Sequence, residues 1–470
     1  MINFLEKIKS NAYQNEKIAY CVNNESISFE KLYCEAEKSA DYLKKQGNEP
    51  VIIYGHKSIN MIISILACLL ARRAYVPVDV LTPIKRVKKI IEISGATLLI
   101  RNEPINISCI QNCDINNLYR YKDNNVVSSN NDVAYIIFTS GSTGEPKGVP
   151  ISYNNLNNFC NWIGSINPLN SYRNINVLNQ ASFSFDLSVT DLYYALCYNH
   201  TLVGLDSNQA NDFKEMFYTI KNAKINLMVI TPTFIKLCLL DDSFDEQEFS
   251  DIKCIYFCGE QLEVKVVKKL YDRFPNIQII DAYGPTEATS AVSSIVINRD
   301  MLKSDILPVG DMQHNATEIV IENDEIVLKG PSVFSGYLSN IKGGYYCEKG
   351  INCYRTGDIG YIESNKLYCK GRKDSQIKYK GYRIELMEIE NCLKNINGVL
   401  DAIVVCKKNN DIVSLIKGFV ILENNVQLDD INTELQSKLP VYMIPKSIKV
   451  LESFPLNNNG KIDRKLMEDL

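Results

Sequence analysis

The run from Tyr135 to Pro150, YIIFTSGSTGEPKGVP, constrains this chain more than any other stretch. Tyr135 to Phe138 have the length and apolar, partly β-branched character of a buried strand. They give way to Thr139, Ser140, Gly141, Ser142, Thr143, Gly144, Glu145, Pro146, Lys147 and Gly148. Small hydroxyl residues and glycines at this density leave backbone N–H groups free to surround an anion. Lys147 adds a mobile positive charge, so the segment reads as a loop that holds phosphates. It is not a Walker A loop. Counting G-x-x-x-x-G-K-[ST] from Gly141 puts Pro146 at the second glycine, and Gly148 where a metal-binding hydroxyl must follow the lysine. Taken alone, the composition also fits an ordinary Gly/Ser turn.

At 470 residues the chain exceeds one compact core and predicts two or three subdomains. Its net charge of −4 provides no basic field for nucleic acid. The charged, amphipathic N-terminus lacks a signal-peptide core. The most apolar segment, Ile59 to Leu70, is too short to span a bilayer and is followed by Arg72 and Arg73. No integral membrane segment is predicted, and the expected location is cytoplasmic. The 15 cysteines are odd in number, scattered from Cys21 to Cys406, and never spaced C-x-x-C. With histidine only at 56, 200 and 314, they read as buried thiols in a reducing compartment and not as a zinc site.

Strand and helix patterns alternate through the first hundred or so residues. Ser26–Lys45 is an amphipathic helix entered from a short strand, Val51–Tyr54 a strand, and Asn60–Arg72 a buried helix. Tyr75–Val80 then leads from strand to loop, Pro83–Ser94 is helical, and Thr97–Arg101 is a strand. Such alternation predicts α/β layers with largely parallel sheets. Near the C-terminus, strands are expected at Asp401–Cys406 and Ser414–Leu422, with a helix over Asp429–Leu439.

Several later residues have chemistry to offer. Asp186 lies in the apolar run FSFDLSV, where a carboxylate is rarely buried unpaired. It is either an N-cap for the helix that follows or the counter-ion of a substrate ammonium group. NLMVITPTF (Asn226–Phe234) and IYFCGE (Ile255–Glu260) are buried strands that end in turns. In IIDAYGPTEATSA (Ile279–Ala291), Gly284 and Pro285 make a turn, and Thr286 and Glu287 project oxygens suited to Mg²⁺. Asp358, in YRTGDIGY, follows a tight turn with two acceptor oxygens. Lys461 lies in the polar loop NNNGK, where a lysine is ordinarily just solvated.

Taken in order, TSGSTGEPKG, FSFDLSV, AYGPTEATSA, YRTGDIGY, GRKDSQIKYKGYRIELMEIE and NNNGK resemble the signatures of adenylate-forming enzymes over nearly the whole chain, Ser28 to Lys465. FSFDLSV is similar to the motif of amino-acid adenylation domains, which acyl-CoA ligases generally lack. With FCGE and YGPTEAT, it looks most like the D-alanine–D-alanyl carrier protein ligases. The resemblance implies an α/β adenylate-forming fold: a large domain (1–373) of layered α/β sheets plus a β-barrel-like part, and a small mobile α/β domain (374–470). Asp374 would be the hinge.

The implied reaction joins ATP and an amino acid into an aminoacyl-adenylate with release of pyrophosphate. Transfer to the phosphopantetheine thiol of a carrier protein follows. Since the chain ends at Leu470 with no carrier domain, a separate carrier is expected. By resemblance, Thr139, Ser140, Gly141, Ser142, Thr143, Gly144 and Lys147 hold the phosphates. Asp281 meets the adenine amino group, with Ala282, Tyr283 and Gly284 beside the ring. Asp358 takes the ribose hydroxyls, and Arg372 contacts ribose and phosphate. Lys461 reaches the substrate carboxylate, ribose and α-phosphate. Thr286 and Glu287 serve catalysis, Glu287 as the Mg²⁺ ligand.

The implied substrate pocket comprises Asp186, Leu187, Thr190, Val229, Tyr256, Cys258, Gly259, Ala282, Ser290 and Ala291. Lys378 and Lys380 flank the approach to Gly381, in a segment implied to enter the site for the second half-reaction. The chain also departs from the pattern. ARRAYVPVD carries arginine where the family usually has glycine, and Tyr256 and Ser290 differ from the D-alanine subfamily. Another small or polar amino acid therefore stays open, as does an acyl-CoA or aryl-acid ligase in which Asp186 is structural.

Overall fold

The computed structural model describes residues 3–14, 16–114, 132–141, 144–206, 209–210, 212–338, 343–409, 412–423, 426–455 and 462–470. Two sheets of parallel character form the main body. The first has six strands in the order Gln111–Asp114, Leu98–Arg101, Val51–Tyr54, Tyr75–Val78, Val133–Thr139 and Lys147–Ser152, and only the last pair is antiparallel. The second has eight, in the order Ser293–Ile297, Gln278–Tyr283, Cys254–Phe257, Leu227–Ile230, Asn176–Asn179, Thr201–Gly204, Ile18–Val22 and Glu25–Ser28. Its interior is parallel and its two edge pairs are antiparallel. Continuous burial of the central strands explains why they read as unbroken apolar runs.

The alternation of side chains along a strand sorts the second sheet into two faces. Val229, Tyr256, Cys258 and Ala282 join the core shared with the first sheet. Met228, Ile230, Ile255 and Phe257 join the core on the other side. The part expected to be barrel-like is an antiparallel sheet ordered Gly310–Asp311, Lys366–Arg372, Ile351–Glu363, Glu325–Lys329 and Glu318–Glu322, with Tyr345–Glu348 alongside Ile351–Glu363.

Two local readings change. The segment ending at Phe234 leads not into a simple turn but into a short helix, Pro232–Cys238. Thr231 caps that helix through its hydroxyl, and Pro232 stands where its missing N–H costs nothing. The arginine at the usual glycine position, Arg72, adopts φ 56°, a left-handed conformation costing a non-glycine residue about 1 kcal/mol. Its guanidinium lies 4.2 Å from the Tyr153 ring centroid, a cation–π contact of similar size. Arg73 is buried and donates to the carbonyls of Leu43 and Glu49.

Beyond residue 373 comes a hairpin, Gln376–Tyr379 with Tyr382–Glu385. Lys380 (φ 52°) and Gly381 (φ 84°) make its turn, the left-handed pair that two-residue hairpins need. The helix Leu386–Lys394 follows. A three-stranded sheet (Val399–Asn409, Ile412–Leu422, Ser447–Val450) and the helix Leu428–Lys438 complete this part around its own core of Ile389, Val404, Val420 and Leu435.

Candidate active site

The ends of both parallel-type sheets and the hairpin converge on one region. Thr139 closes its strand opposite Lys147, so the phosphate-type segment is the loop of a hairpin. Ser142 and Thr143 lie outside the described residues. Lys147 does not dangle as a mobile charge. It is buried at the start of a strand, with Nζ 5.7 Å from the Tyr337 ring centroid. The loop is engaged by the small domain. The Ser140 hydroxyl donates to the Arg383 carbonyl at 2.9 Å and accepts from the Glu385 N–H at 3.0 Å. The Gly141 N–H donates to a Glu388 oxygen at 2.9 Å, while the other oxygen meets Arg86 at 2.5 Å. A loop whose composition suggests anion binding thus holds one of the chain's own carboxylates.

Asp186 stands at the N-terminus of the helix Leu187–Cys197, yet its side chain makes no capping bond. It faces the AYGPTE segment, accepting the Thr286 hydroxyl at 2.6 Å. Burial is the main force on its carboxyl, which is pushed up from 3.8 to about 6. The ionised form is short of positive charge.

Glu287 is one residue further and fully buried. It receives the Tyr337 hydroxyl and the Arg383 guanidinium, each at 2.5 Å. Burial opposes its ionisation, but Arg383 and these hydrogen bonds outweigh it and hold the carboxyl below its usual range. An ionised hard-oxygen ligand beside the Thr286 hydroxyl suits Mg²⁺. In this arrangement Arg383 supplies the positive charge.

The nucleotide-type residues form a second chain of contacts. Asp358 accepts the Tyr283 hydroxyl on one oxygen and Arg372 on the other, both at 2.6 Å. Arg372 also grips Asp374 through two bonds of 2.7 and 2.8 Å, tying the expected hinge to an expected ribose contact. Asp281 is buried with Oδ1 unpartnered, and burial pushes its carboxyl well up. A neutral carboxyl offers one donor and one acceptor, as the family's usual asparagine amide does.

A cavity of about 330 Å³ joins Asp281, Ala282, Tyr283, Gly259, Asp358 and Arg372 to the small domain at Val404 and Arg464. A cavity of about 40 Å³ beside it is lined by Asp186, Leu187, Cys258, Gly259, Gly284 and Ser290, among others. Thr190 reaches this wall through Ser290, their hydroxyls 3.1 Å apart. Val229, Tyr256 and Ala291 sit in the core beneath the cavity and do not line it. Burial pushes the Cys258 thiol up to about 12, so it contributes shape and not a nucleophile.

The AMP-binding enzyme family profile matches residues 8–338, and the AMP-binding enzyme C-terminal domain profile matches residues 388–461. The D-alanine–D-alanyl carrier protein ligase of Bacillus licheniformis is 36% identical over 506 aligned positions, covering 100% of this chain and 99% of that protein. The protein of the same name from Staphylococcus epidermidis is 38% identical, covering 97% and 96%. The chain belongs to the AMP-binding enzyme family. Among solved structures, the Vibrio cholerae adenylation domain AlmE, in complex with glycyl-adenosine-5'-phosphate, superposes with a TM-score of 0.82 over 99% of this chain and 96% of its own. At 21% identity that likeness bears on the fold alone.

Within this AMP-binding enzyme, residues of four separate sequence motifs are brought to one region; Lys461, like Ser142 and Thr143, lies outside the described residues. Arg464, among the described residues that follow, is bonded to Glu390 at 2.8 Å and to the Val404 carbonyl at 3.1 Å. The sequence reading missed Arg383, Tyr337, Glu388 and Glu260. Glu260 receives the Gly381 N–H at 2.6 Å. Arg383 was visible only as one cation among several in GRKDSQIKYKGYRIE, and nothing in its spacing marks it as the partner of Glu287.

Proposed function

We propose that this protein activates D-alanine with ATP and transfers the D-alanyl group to the phosphopantetheine thiol of a separate carrier protein. Its full-length similarity to ligases of that name supports the reaction. The single observation that carries the substrate class is Asp186: a buried carboxylate that caps no helix, at the edge of a small cavity of about 40 Å³. A substrate ammonium supplies the positive charge that Asp186 lacks. Ser290 does not argue for a polar side chain, because Thr190 already satisfies its hydroxyl.

An amino-acid carboxylate is ionised at neutral pH, so its attack on the α-phosphorus needs no general base. The protein's task is to align two anions and stabilise the charge that develops. Lys147 and the loop amides serve this, joined by Lys461 when the small domain turns about Asp374. Mg²⁺ held by Glu287 and Thr286 would neutralise phosphate charge. Asp281 orients adenine, and Asp358 and Arg372 orient the ribose. The contacts of the hairpin Gln376–Glu385 with Ser140, Glu260 and Glu287 support a role for this segment in the second half-reaction, once pyrophosphate has gone. The free thiols of all 15 cysteines accord with a reducing, cytoplasmic setting. No helix among the described residues is long and apolar enough to cross a membrane.

Amino-acid-dependent ATP–pyrophosphate exchange tests this directly, using D-Ala, L-Ala, Gly, Ser, Cys, Thr, β-alanine and amine-free acids. D-Alanine is expected to dominate. A different dominant amino acid would retain the mechanism and change the substrate; exchange with amine-free acids alone would remove the role of Asp186.

A further inference from the structure

Between the two parallel-type sheets lies a cluster of buried charged and polar side chains that the reaction does not use. Lys57 follows the strand Val51–Tyr54 and precedes Ser58, the cap of the helix Ile59–Leu70. It is 5% exposed. Its ammonium donates to the carbonyl of Asn179 and, at 2.8 Å, to that of Ala181, both in the other sheet's strand end and turn. The Phe183 ring centroid is 5.7 Å from the same nitrogen. Asp79, at the end of the neighbouring strand, accepts the Ser182 hydroxyl at 2.5 Å and is braced by His56 at 2.7 Å and the Leu81 N–H at 3.1 Å. The Asn179 amide reaches Asp191 of the following helix at 3.0 Å. Beside its local bonds and the Leu205 N–H on the Asn179 carbonyl, the turn 179–182 is therefore tethered by side chains of the first sheet and of the helix that Asp186 starts.

We infer that Lys57 is a positioning residue for the amino-acid substrate, fixing the turn that delivers Asp186 to its ammonium group. The inference rests on the reading of Asp186 given above. A lysine needed only to fill space would not sit here, since burying an ammonium is costly unless it is paired. Burial disfavours both charged forms, pushing Lys57 down to about 7 and Asp191 up to about 8, and the attraction between the two offsets this only in part. The Lys57 ammonium shares the Asn179 carbonyl with the Leu205 N–H, which donates at 3.1 Å, and adds a bond of 2.8 Å to the Ala181 carbonyl in the turn. Asp186 lies only a few residues beyond them, and displacing a binding group by about 1 Å can cost on the order of a hundredfold in rate.

Steady-state pyrophosphate exchange on the full chain tests this, with KM for D-alanine and for ATP measured separately. Lys57→Gln is expected to raise the D-alanine KM by about tenfold or more, and Ser182→Ala by about threefold, both with the ATP KM within about twofold. Ser182→Ala leaves no charge unpaired, so it decides the matter if Lys57→Gln does not fold. Both KM values rising together, or neither moving, would overturn the inference, because a purely structural role affects the whole site. Asp186→Asn separates the two ideas. If it raises the D-alanine KM while the Lys57 and Ser182 variants do not, the inference alone falls. If Asp186→Asn leaves that KM unchanged, the reading of Asp186 falls and the inference falls with it.

Discussion

Asp186→Asn is expected to give a more stable protein that has lost its amino-acid-dependent activity. The carboxyl's folded value of about 6 stands above its ordinary 3.8 because burial disfavours the charge. Between those values the folded state binds more protons than the unfolded chain, so stability falls as pH rises through that window. At pH 7 the ionised group costs the fold roughly 3 kcal/mol at most, taking about 1.4 kcal/mol for each of its two pH units. Asparagine keeps an acceptor for the Thr286 hydroxyl and removes the charge. Denaturant unfolding at pH 7 should show a gain of about 1–3 kcal/mol that vanishes near pH 3, while exchange with D-alanine falls by at least about a hundredfold. The same titration makes kcat/KM for D-alanine in the unmodified protein drop about tenfold per pH unit below pH 6, with the ATP KM flat. Equal stability of the two proteins at pH 7 would show that the buried carboxylate is not strained. Retained exchange would show that it does not meet the substrate.

How much of this could be read in the sequence depended on whether the information was local. The strands Val51–Tyr54 and Cys254–Phe257 were legible because continuous burial writes itself as an apolar run. Asp186 stood out because a carboxylate in FSFDLSV contradicts its surroundings, though only coordinates show that its side chain makes no capping bond. Lys147 looked mobile because the loop around it is polar, and it is buried because a distant segment brings Tyr337 over it. The family resemblance puts Tyr256 in the pocket, but its side chain joins the core and does not line the cavity. Arg383, Glu388 and Lys57 were invisible for one shared reason. Their partners are 96, 302 and 122 residues away in sequence, and a lysine or arginine seen in one dimension defaults to a solvated surface.

The ion pair between Glu287 and Arg383 carries the second large expectation, because one carboxylate cannot serve a guanidinium and a metal ion together. Both oxygens of Glu287 are already taken, and the side chain has no access to water. Breaking a buried pair from one side leaves an uncompensated charge worth about 3–5 kcal/mol. Arg383→Gln should therefore destabilise the protein by that order, and Glu287→Gln should do the same by stranding Arg383. The double replacement puts two neutral amides face to face and should recover to within about 1 kcal/mol of the starting protein, since a buried pair is often replaceable as a unit. Activity must behave differently. Losing the charge that would hold Mg²⁺ is expected to lower pyrophosphate exchange by about 10²–10³-fold in Glu287→Gln, and the double variant should not regain it. The pH signs separate this residue from Asp186. Glu287 is held below its usual range, so its stabilising contribution is present above the unfolded value and is lost as pH falls through the folded one, the reverse of Asp186. A double variant as unstable as either single one would mean the two side chains are not coupled. Full exchange in Glu287→Gln would remove the carboxylate from the chemistry and leave it as the anchor of the docked hairpin alone.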